Sequence, residues 1–309
     1  MSAESSLRAG IVKVGRRMYA RGYTASNDGN ISVRLGDDRL LMTPKSVCKG
    51  FMTPDMMCIT DLDGKKLAGE RDPSSEMQMH LEVYRQRPDA NAVVHAHPPI
   101  ATGFAVAGIP LDRAVLAEVV TTLGSVPIAE YATPSTKELP EAVRKYVKAH
   151  DGMLLANHGA LTLGADLFSA YYKMETIEHF AKISLVARLL GGERLLSREE
   201  VDRLQGLRGM YGIASPAPIC EPDGSSRSAA NSLRTSPSTS TAPSTSLGAG
   251  PSTSLRTGEQ ANCQTVFAPE TDGARLVPDL RGAVGKDGEI RLTYRELTAL
   301  IEAAVRELK

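Results

Sequence analysis

Tryptophan is absent from this 309-residue chain, and aromatic residues make up only 5% of it. The interior therefore cannot be built around many large rings, although a hydrophobic share of 42% supports a sizeable core. Neither sign of charge is in excess: Lys and Arg number 36, and so do Asp and Glu. Such a balance gives no reason to expect a nucleic-acid or membrane-surface partner. No window approaches the roughly 18 apolar residues of a membrane span. The four cysteines, Cys48, Cys58, Cys220 and Cys263, form no CxxC or other metal-type spacing, so they read as reduced thiols. The first residues, MSAESSLRAG, lack a charged region followed by an apolar stretch. A soluble, cytoplasmic protein is expected.

What is present divides into three parts. Residues 1–215 alternate helical and strand patterns and read as one domain. Residues 216–262 form a Ser/Thr/Pro/Gly linker in which Pro-Ser-Thr-Ser recurs at Pro237, Pro243 and Pro251. A segment this polar buries too little apolar surface to offset its chain entropy. Residues 263–309 form a tail. In it, Leu297, Leu300, Ile301, Ala304, Val305 and Leu308 make one helical stripe behind a Thr293–Glu296 capping-box pattern, predicting an amphipathic helix over 293–309.

Within the first part, helices are predicted over 5–21, 74–87, 137–149 and 165–190. Strands are predicted over 31–35, 39–43, 92–96 and 152–156, the first two as a hairpin around Gly36-Asp37-Asp38. Ser75 and Gln78 suit a capping box for the second helix, which puts Glu76 in its first turn. Interleaved strands and helices imply an α/β or α+β domain.

Histidine carries the chemistry. In Asn91-Ala-Val-Val-His-Ala-His-Pro-Pro99, His95 and His97 end an apolar strand. Residues i and i+2 of a strand point the same way, so two imidazoles leave one strand end side by side. This is either a polar strand end or a pair of ligands for one metal. His158 also follows an apolar run, Met153-Leu-Leu-Ala156. Three imidazoles with an open fourth position describe a catalytic zinc site. His150 and His179 read as structural residues on helices. Glu76, with the hydroxyls of Ser74 and Ser75, stands at a helix N-terminus, where free N–H groups favour anions. Asp28-Gly29-Asn30 and Thr43-Pro-Lys-Ser46 are two further turns able to hold an anion.

Together DGNISVR, LLMTPKS, PSSEMQMHLEVYRQRPDANAVVHAH, EYAT and LLANHGALT resemble the class II aldolase/adducin family. The pattern is most similar to the members that cleave L-fuculose 1-phosphate, and it covers roughly residues 5–215. The resemblance implies a three-layer α/β/α fold with a central, mostly antiparallel sheet flanked by helices. It implies a homotetramer with sites between subunits. It also implies one Zn²⁺ per subunit on His95, His97 and His158, although three imidazoles accept other divalent metals as well. Glu76 matches the family's residue that binds the free metal and then serves as acid and base. Asn30, Lys45, Ser46, Ser74 and Ser75 match the residues that hold the substrate phosphate, and Tyr211 matches a C-terminal catalytic tyrosine. The implied reaction is cleavage of a ketose 1-phosphate, of L-fuculose or L-rhamnulose type, to dihydroxyacetone phosphate and an aldehyde such as lactaldehyde, through a metal-stabilised enediolate.

Two departures leave the reaction open. Residues 109–127 contain no tyrosine where the aldolase has its proton donor, and Glu118 is the nearest polar residue. The family's Thr-Gly phosphate turn is here Lys45-Ser46. A 4-epimerase, dehydratase or decarboxylase acting on a phosphorylated sugar or sugar acid is the alternative. A non-catalytic adducin-like module is disfavoured, because all three histidines and Glu76 are kept. The tail resembles the encapsulation peptides that load enzymes into bacterial microcompartments, so a shell or cargo partner is expected for it.

Overall fold

The computed structural model describes residues 3–36, 38–215 and 217–219. The expected linker beyond residue 219 and the amphipathic helix, together with Cys220 and Cys263, lie outside the described residues. Eight strands form one sheet in the order β4-β3-β2-β1-β5-β8-β7-β6. They are β1 (Asn30–Arg34), β2 (Arg39–Met42), β3 (Cys58–Asp61), β4 (Lys66–Ala68), β5 (Ala92–Ala96), β6 (Ile128–Ala129), β7 (Gly152–Leu155) and β8 (Gly159–Gly164). Every neighbouring pair is antiparallel except β6 with β7.

Helices cover both faces. The residues alternate along each strand, so each side receives its own apolar set. Ile31, Val33, Ala92, Val94 and Ala96 point to one core with α1 (Ala3–Ala20), α3 (Pro99–Ala107) and α6 (Leu167–Leu189). Leu40, Val93, Leu161 and Leu163 point to the other, beneath α2 (Met77–Gln86) and α5 (Glu138–Val147). The expected three-layer arrangement is thus the observed one. Two more helices, α4 (Ala117–Thr122) and α7 (Arg198–Gly206), complete the described part.

Local chemistry explains the boundaries. The α1 stripe Ile11, Val14 and Met18 is wholly buried. The helix closes where Gly22 turns left-handed at φ +71 and Tyr23 N–H reaches back to Met18 O at 2.8 Å. Asp166 caps α6 by accepting from the N–H groups of Phe168 and Ser169. Pro98 and Pro99 do more than stop β5. They start α3, where a missing N–H costs nothing. The next two N–H groups of α3, on Ile100 and Ala101, donate to Glu178 of α6 at 3.1 and 2.8 Å.

Two local expectations need correction. Glu76 is the N-cap of α2, not part of its first turn, and no Ser75–Gln78 capping box forms. The chain is held instead by Met77 N–H donating to Ser74 O, and by Glu76 N–H donating to Ser74 Oγ. His150 is not on a helix. It lies beyond the end of α5, buried, with Nδ1 donating to Ser125 O at 3.0 Å. His179 does lie on α6, exposed.

Candidate active site: a three-histidine centre

Strand pairing assembles the centre. Asn30 on β1 lies directly opposite His95 on β5, and β5 is flanked on its other side by β8. The tight turn between β7 and β8 carries Asn157 at φ 53 and then His158. Gly159 follows, where an added Cβ would stand 2.5 Å from Ala96 O and 2.6 Å from the His97 ring. Only glycine lets His158 come this close. Gly29 has a similar duty at φ +73: a Cβ there would meet His95 O at 2.8 Å.

The side chains converge. One ring nitrogen from each of His95, His97 and His158 lies within 4.8 Å of the others. Nε2 of His95 and Nε2 of His97 are 3.1 Å apart. Glu76 reaches the same point, with Oε2 3.3 Å from His95 Nε2 and Oε1 3.1 Å from His158 Nε2. His95 is fully buried and donates its Nδ1–H to Ala160 O at 2.9 Å. Its neutral ring therefore presents a bare lone pair at Nε2. His97 turns Nδ1 toward Asp28 Oδ2 at 3.5 Å, again leaving Nε2 for the centre.

Electrostatics agrees with this geometry. Burial pushes the Glu76 carboxyl up, but His95, His158 and the Asn30 amide together hold it below the usual carboxylate range. Burial depresses His95 and His97, so both favour the neutral form. Lone pairs and a carboxylate thus face one another with too few protons to pair them. Among the described residues, buried Glu76 Oε1 and His158 Nδ1 find no hydrogen-bond partner. A divalent cation satisfies such a donor set, and neutral imidazoles with one carboxylate suit Zn²⁺. The residues present fit that metal, with Ala160 O and Asp28 orienting the ligands from behind.

The phosphate candidates share the cavity, which measures about 390 Å³. Asn30, Lys45, Ser46, Ser74 and Ser75 all line it alongside Glu76, His97 and His158. Lys45 is paired with Asp72 at 3.1 Å, and Asn30 Nδ2 donates to Glu76 Oε2 at 2.8 Å. Tyr211 is not brought to this cavity by its own chain. It sits after α7, 62% exposed. Glu118 is exposed on α4 and borders a different, open cleft of about 900 Å³ where no ligand set converges.

Sequence reasoning missed four contributors. Lys49 is fully buried in the cavity wall, donating to Asn27 O and Val47 O at 2.9 and 2.7 Å. Burial lowers it to about 8. Pro134 and Ser135 reach the cavity from the loop after β6. His80 lies beneath Asn30, and its one signal was its place a helical turn beyond Glu76. Among the described residues Cys48 and Cys58 are free thiols, as expected.

Comparison with known proteins places this geometry. The family described as "Class II Aldolase and Adducin N-terminal domain" matches residues 9–185. The chain belongs to that family. It is similar to a 3-oxo-tetronate 4-phosphate decarboxylase of Pectobacterium atrosepticum, 33% identical over 60% of this chain and 87% of the relative. It is also similar to an L-fuculose phosphate aldolase of Methanococcus maripaludis, 34% identical over 57% of this chain and 94% of the relative. The solved structure of an L-fuculose 1-phosphate aldolase superposes with a TM-score of 0.62, at 32% identity, over 67% of this chain and 96% of that one. The protein is a class II aldolase-type enzyme, a lyase.

Proposed function

We propose that the protein is a zinc-dependent aldolase cleaving a ketose 1-phosphate of the L-fuculose or L-rhamnulose type to dihydroxyacetone phosphate and an aldehyde such as lactaldehyde. The observation that carries this reading is the meeting of three histidine nitrogens with the Glu76 carboxylate in one cavity lined by Ser74, Ser75, Asn30, Lys45 and Ser46. Zn²⁺ would be held by His95, His97 and His158 with Glu76 as a further ligand, and would supply Lewis-acid polarisation of the substrate oxygens. The serine hydroxyls, the N–H groups before α2 and the Lys45 charge hold the phosphate, fixing the sugar for reaction. The C4 hydroxyl loses its proton as the C3–C4 bond breaks and C4 becomes the aldehyde. The Glu76 carboxylate takes that C4 proton and delivers it to C3. Tyr211 acts in the site of a neighbouring subunit of the proposed homotetramer; its exposure on the single chain supports a role between copies.

The test incubates zinc-loaded protein with L-fuculose 1-phosphate and measures dihydroxyacetone phosphate with a coupled reductase. Release that is lost both with EDTA and in Glu76→Gln supports the reading, and no release from metal-replete protein removes it.

A second reading, decarboxylation of a phosphorylated 3-oxo sugar acid, is favoured by the absence of tyrosine from residues 109–127 and by the similarity to the decarboxylase. Carbon dioxide release from 3-oxo-tetronate 4-phosphate by the same preparation distinguishes it.

The chain is further proposed to act in the cytoplasm, within a bacterial microcompartment. Residues 1–215 form the catalytic domain, 216–262 a linker and 263–309 the targeting tail. The apolar stripe of the tail supports this, and no helix among the described residues is long and apolar enough to cross a membrane. Deleting 263–309 should leave activity intact and abolish co-purification with shells.

A further inference from the structure

Behind Glu76 and Asn30 runs a chain of buried polar groups, His80, Ser32 and Tyr84, that the proposed chemistry does not use. Asn30 Nδ2 lies 2.8 Å from Glu76 Oε2, and Asn30 Oδ1 lies 2.5 Å from His80 Nε2. His80 Nδ1 lies 2.7 Å from Ser32 Oγ, which lies 2.9 Å from Tyr84 OH. His80 and Ser32 are 0% exposed, and Asn30 and Tyr84 are each 3% exposed. His80 and Ser32 cannot exchange their partners for bulk water.

Period and register put these groups in line. Asn30 and Ser32 are two residues apart on β1 and share the face toward α2. Glu76, His80 and Tyr84 are four apart at and along α2, and therefore share the stripe facing β1.

We infer that His80 is a positioning residue for the acid/base carboxylate: as its neutral Nε2–H tautomer it locks the Asn30 amide so that the amide N–H is aimed at Glu76. This rests on the assignment of Glu76 above. The direction of every bond follows from the carboxylate end. Glu76 Oε2 only accepts, so Asn30 must turn its NH₂ toward it and its oxygen toward His80. A flipped amide would set oxygen against oxygen. Asn30 Oδ1 then needs a donor, which makes His80 Nε2 the protonated nitrogen. Nδ1 becomes an acceptor, the Ser32 hydroxyl donates to it, and Tyr84 OH donates to Ser32. His80 touches neither substrate nor metal ligand; it acts through Asn30. One carboxylate oxygen is thereby held by the relay, and the other is left toward His158.

The test does not need the reaction to be known. In zinc-loaded protein carrying ¹⁵N-histidine, long-range ¹⁵N correlation, assigned by difference with His80→Gln, should report His80 as one Nε2–H tautomer. Ser32→Ala, which removes the donor to Nδ1 and the acceptor of Tyr84 OH, should leave the Nε2–H tautomer in place, because Asn30 Oδ1 fixes it. His80→Gln places an N–H near the position of Nε2; His80→Leu places none. With substrate absent, His80→Leu should loosen Zn²⁺ about tenfold in competition with a chromophoric chelator, and His80→Gln should restore most of that. If the proposed activity is found, kcat should fall about 10–100-fold in the leucine variant with KM nearly unchanged. An Nδ1–H tautomer in the wild type overturns the inference. So does a Ser32→Ala variant that loses the Nε2–H tautomer, or equal Zn²⁺ affinity in the glutamine and leucine variants.

Discussion

Asn30 and His95 are cross-strand partners on β1 and β5, and both turn toward the face covered by α2. From that register Asn30 hydrogen-bonds Glu76 at 2.8 Å while His95 Nε2 stands 3.3 Å from the same carboxylate oxygen. Slipping β1 by one residue would turn Asn30 into the opposite core and dismantle the centre.

Removing one imidazole leaves too few ligands for a closed metal site. His95→Ala and His158→Ala should each lower bound Zn²⁺ from about one per chain to near zero. Metal analysis after gel filtration checks this. Full occupancy in either variant would remove that histidine from the ligand set.

Gly159→Ala should be costly for its size. The new methyl would stand 2.5 Å from a backbone oxygen, so β8 or the β5 end must move. Overpacking of this kind costs about 1–3 kcal/mol. Thermal unfolding should show the loss, and zinc competition should show weaker binding because the shift falls between His97 and His158. A variant with wild-type Tm and Zn²⁺ affinity would contradict the close approach.

Lys49 gives a pH signature. Burial lowers it from the usual 10.5 to about 8, so the folded protein releases this proton earlier than the unfolded chain. Its burial therefore destabilises most below pH 8, by about 3 kcal/mol, and that penalty fades as pH rises toward 10.5. Relative to Lys49→Met, the wild type should gain stability between pH 8 and 10.5. Urea titrations at several pH values measure the difference; a flat difference across that window would contradict the lowered value.

Asp151 tests a part of the fold away from the centre. It is 1% exposed and pairs with Arg87 at 2.8 Å and Lys173 at 2.5 Å. Asp151→Asn leaves two cations short of a buried counter-charge, a loss of about 3–5 kcal/mol. Urea midpoints should fall while Zn²⁺ stoichiometry stays at the wild-type value. A fall in stoichiometry would tie this network to the site.

Ser74→Ala should raise KM for the phosphorylated substrate, since its hydroxyl lines the cavity proposed to hold the phosphate, with a smaller fall in kcat from the lost acceptor for the Glu76 N–H. Steady-state kinetics with the proposed sugar phosphate checks it. A kcat loss at constant KM would place Ser74 with the reacting carbon instead.

Much of the architecture follows from local pattern. The apolar run Ala92–Val94 and the two prolines that follow the histidines define β5, and helical spacing defines α1, α2, α5 and α6 to within a few residues. Shorter or less patterned pieces were not legible. β6 is two residues long, and the exposed β4 has no buried face to set a period. β8 follows β7 across a short turn and is not among the predicted strands. Glu76 was placed in a helical turn by the spacing of its neighbours, but Ser74 holds the chain back and helical backbone begins only at Met77.

The sequence by itself determined that His95 and His97 leave one strand end on one side, because side-chain direction in a strand has a period of two. It also determined that a helix begins beside Glu76. Only the tertiary structure decided that His158, 61 positions beyond His97, closes on the same point, because antiparallel pairing of β5 with β8 is a long-range event. The tertiary structure alone likewise set His80 beneath Asn30, and made a lone histidine on a helix part of the support for the carboxylate.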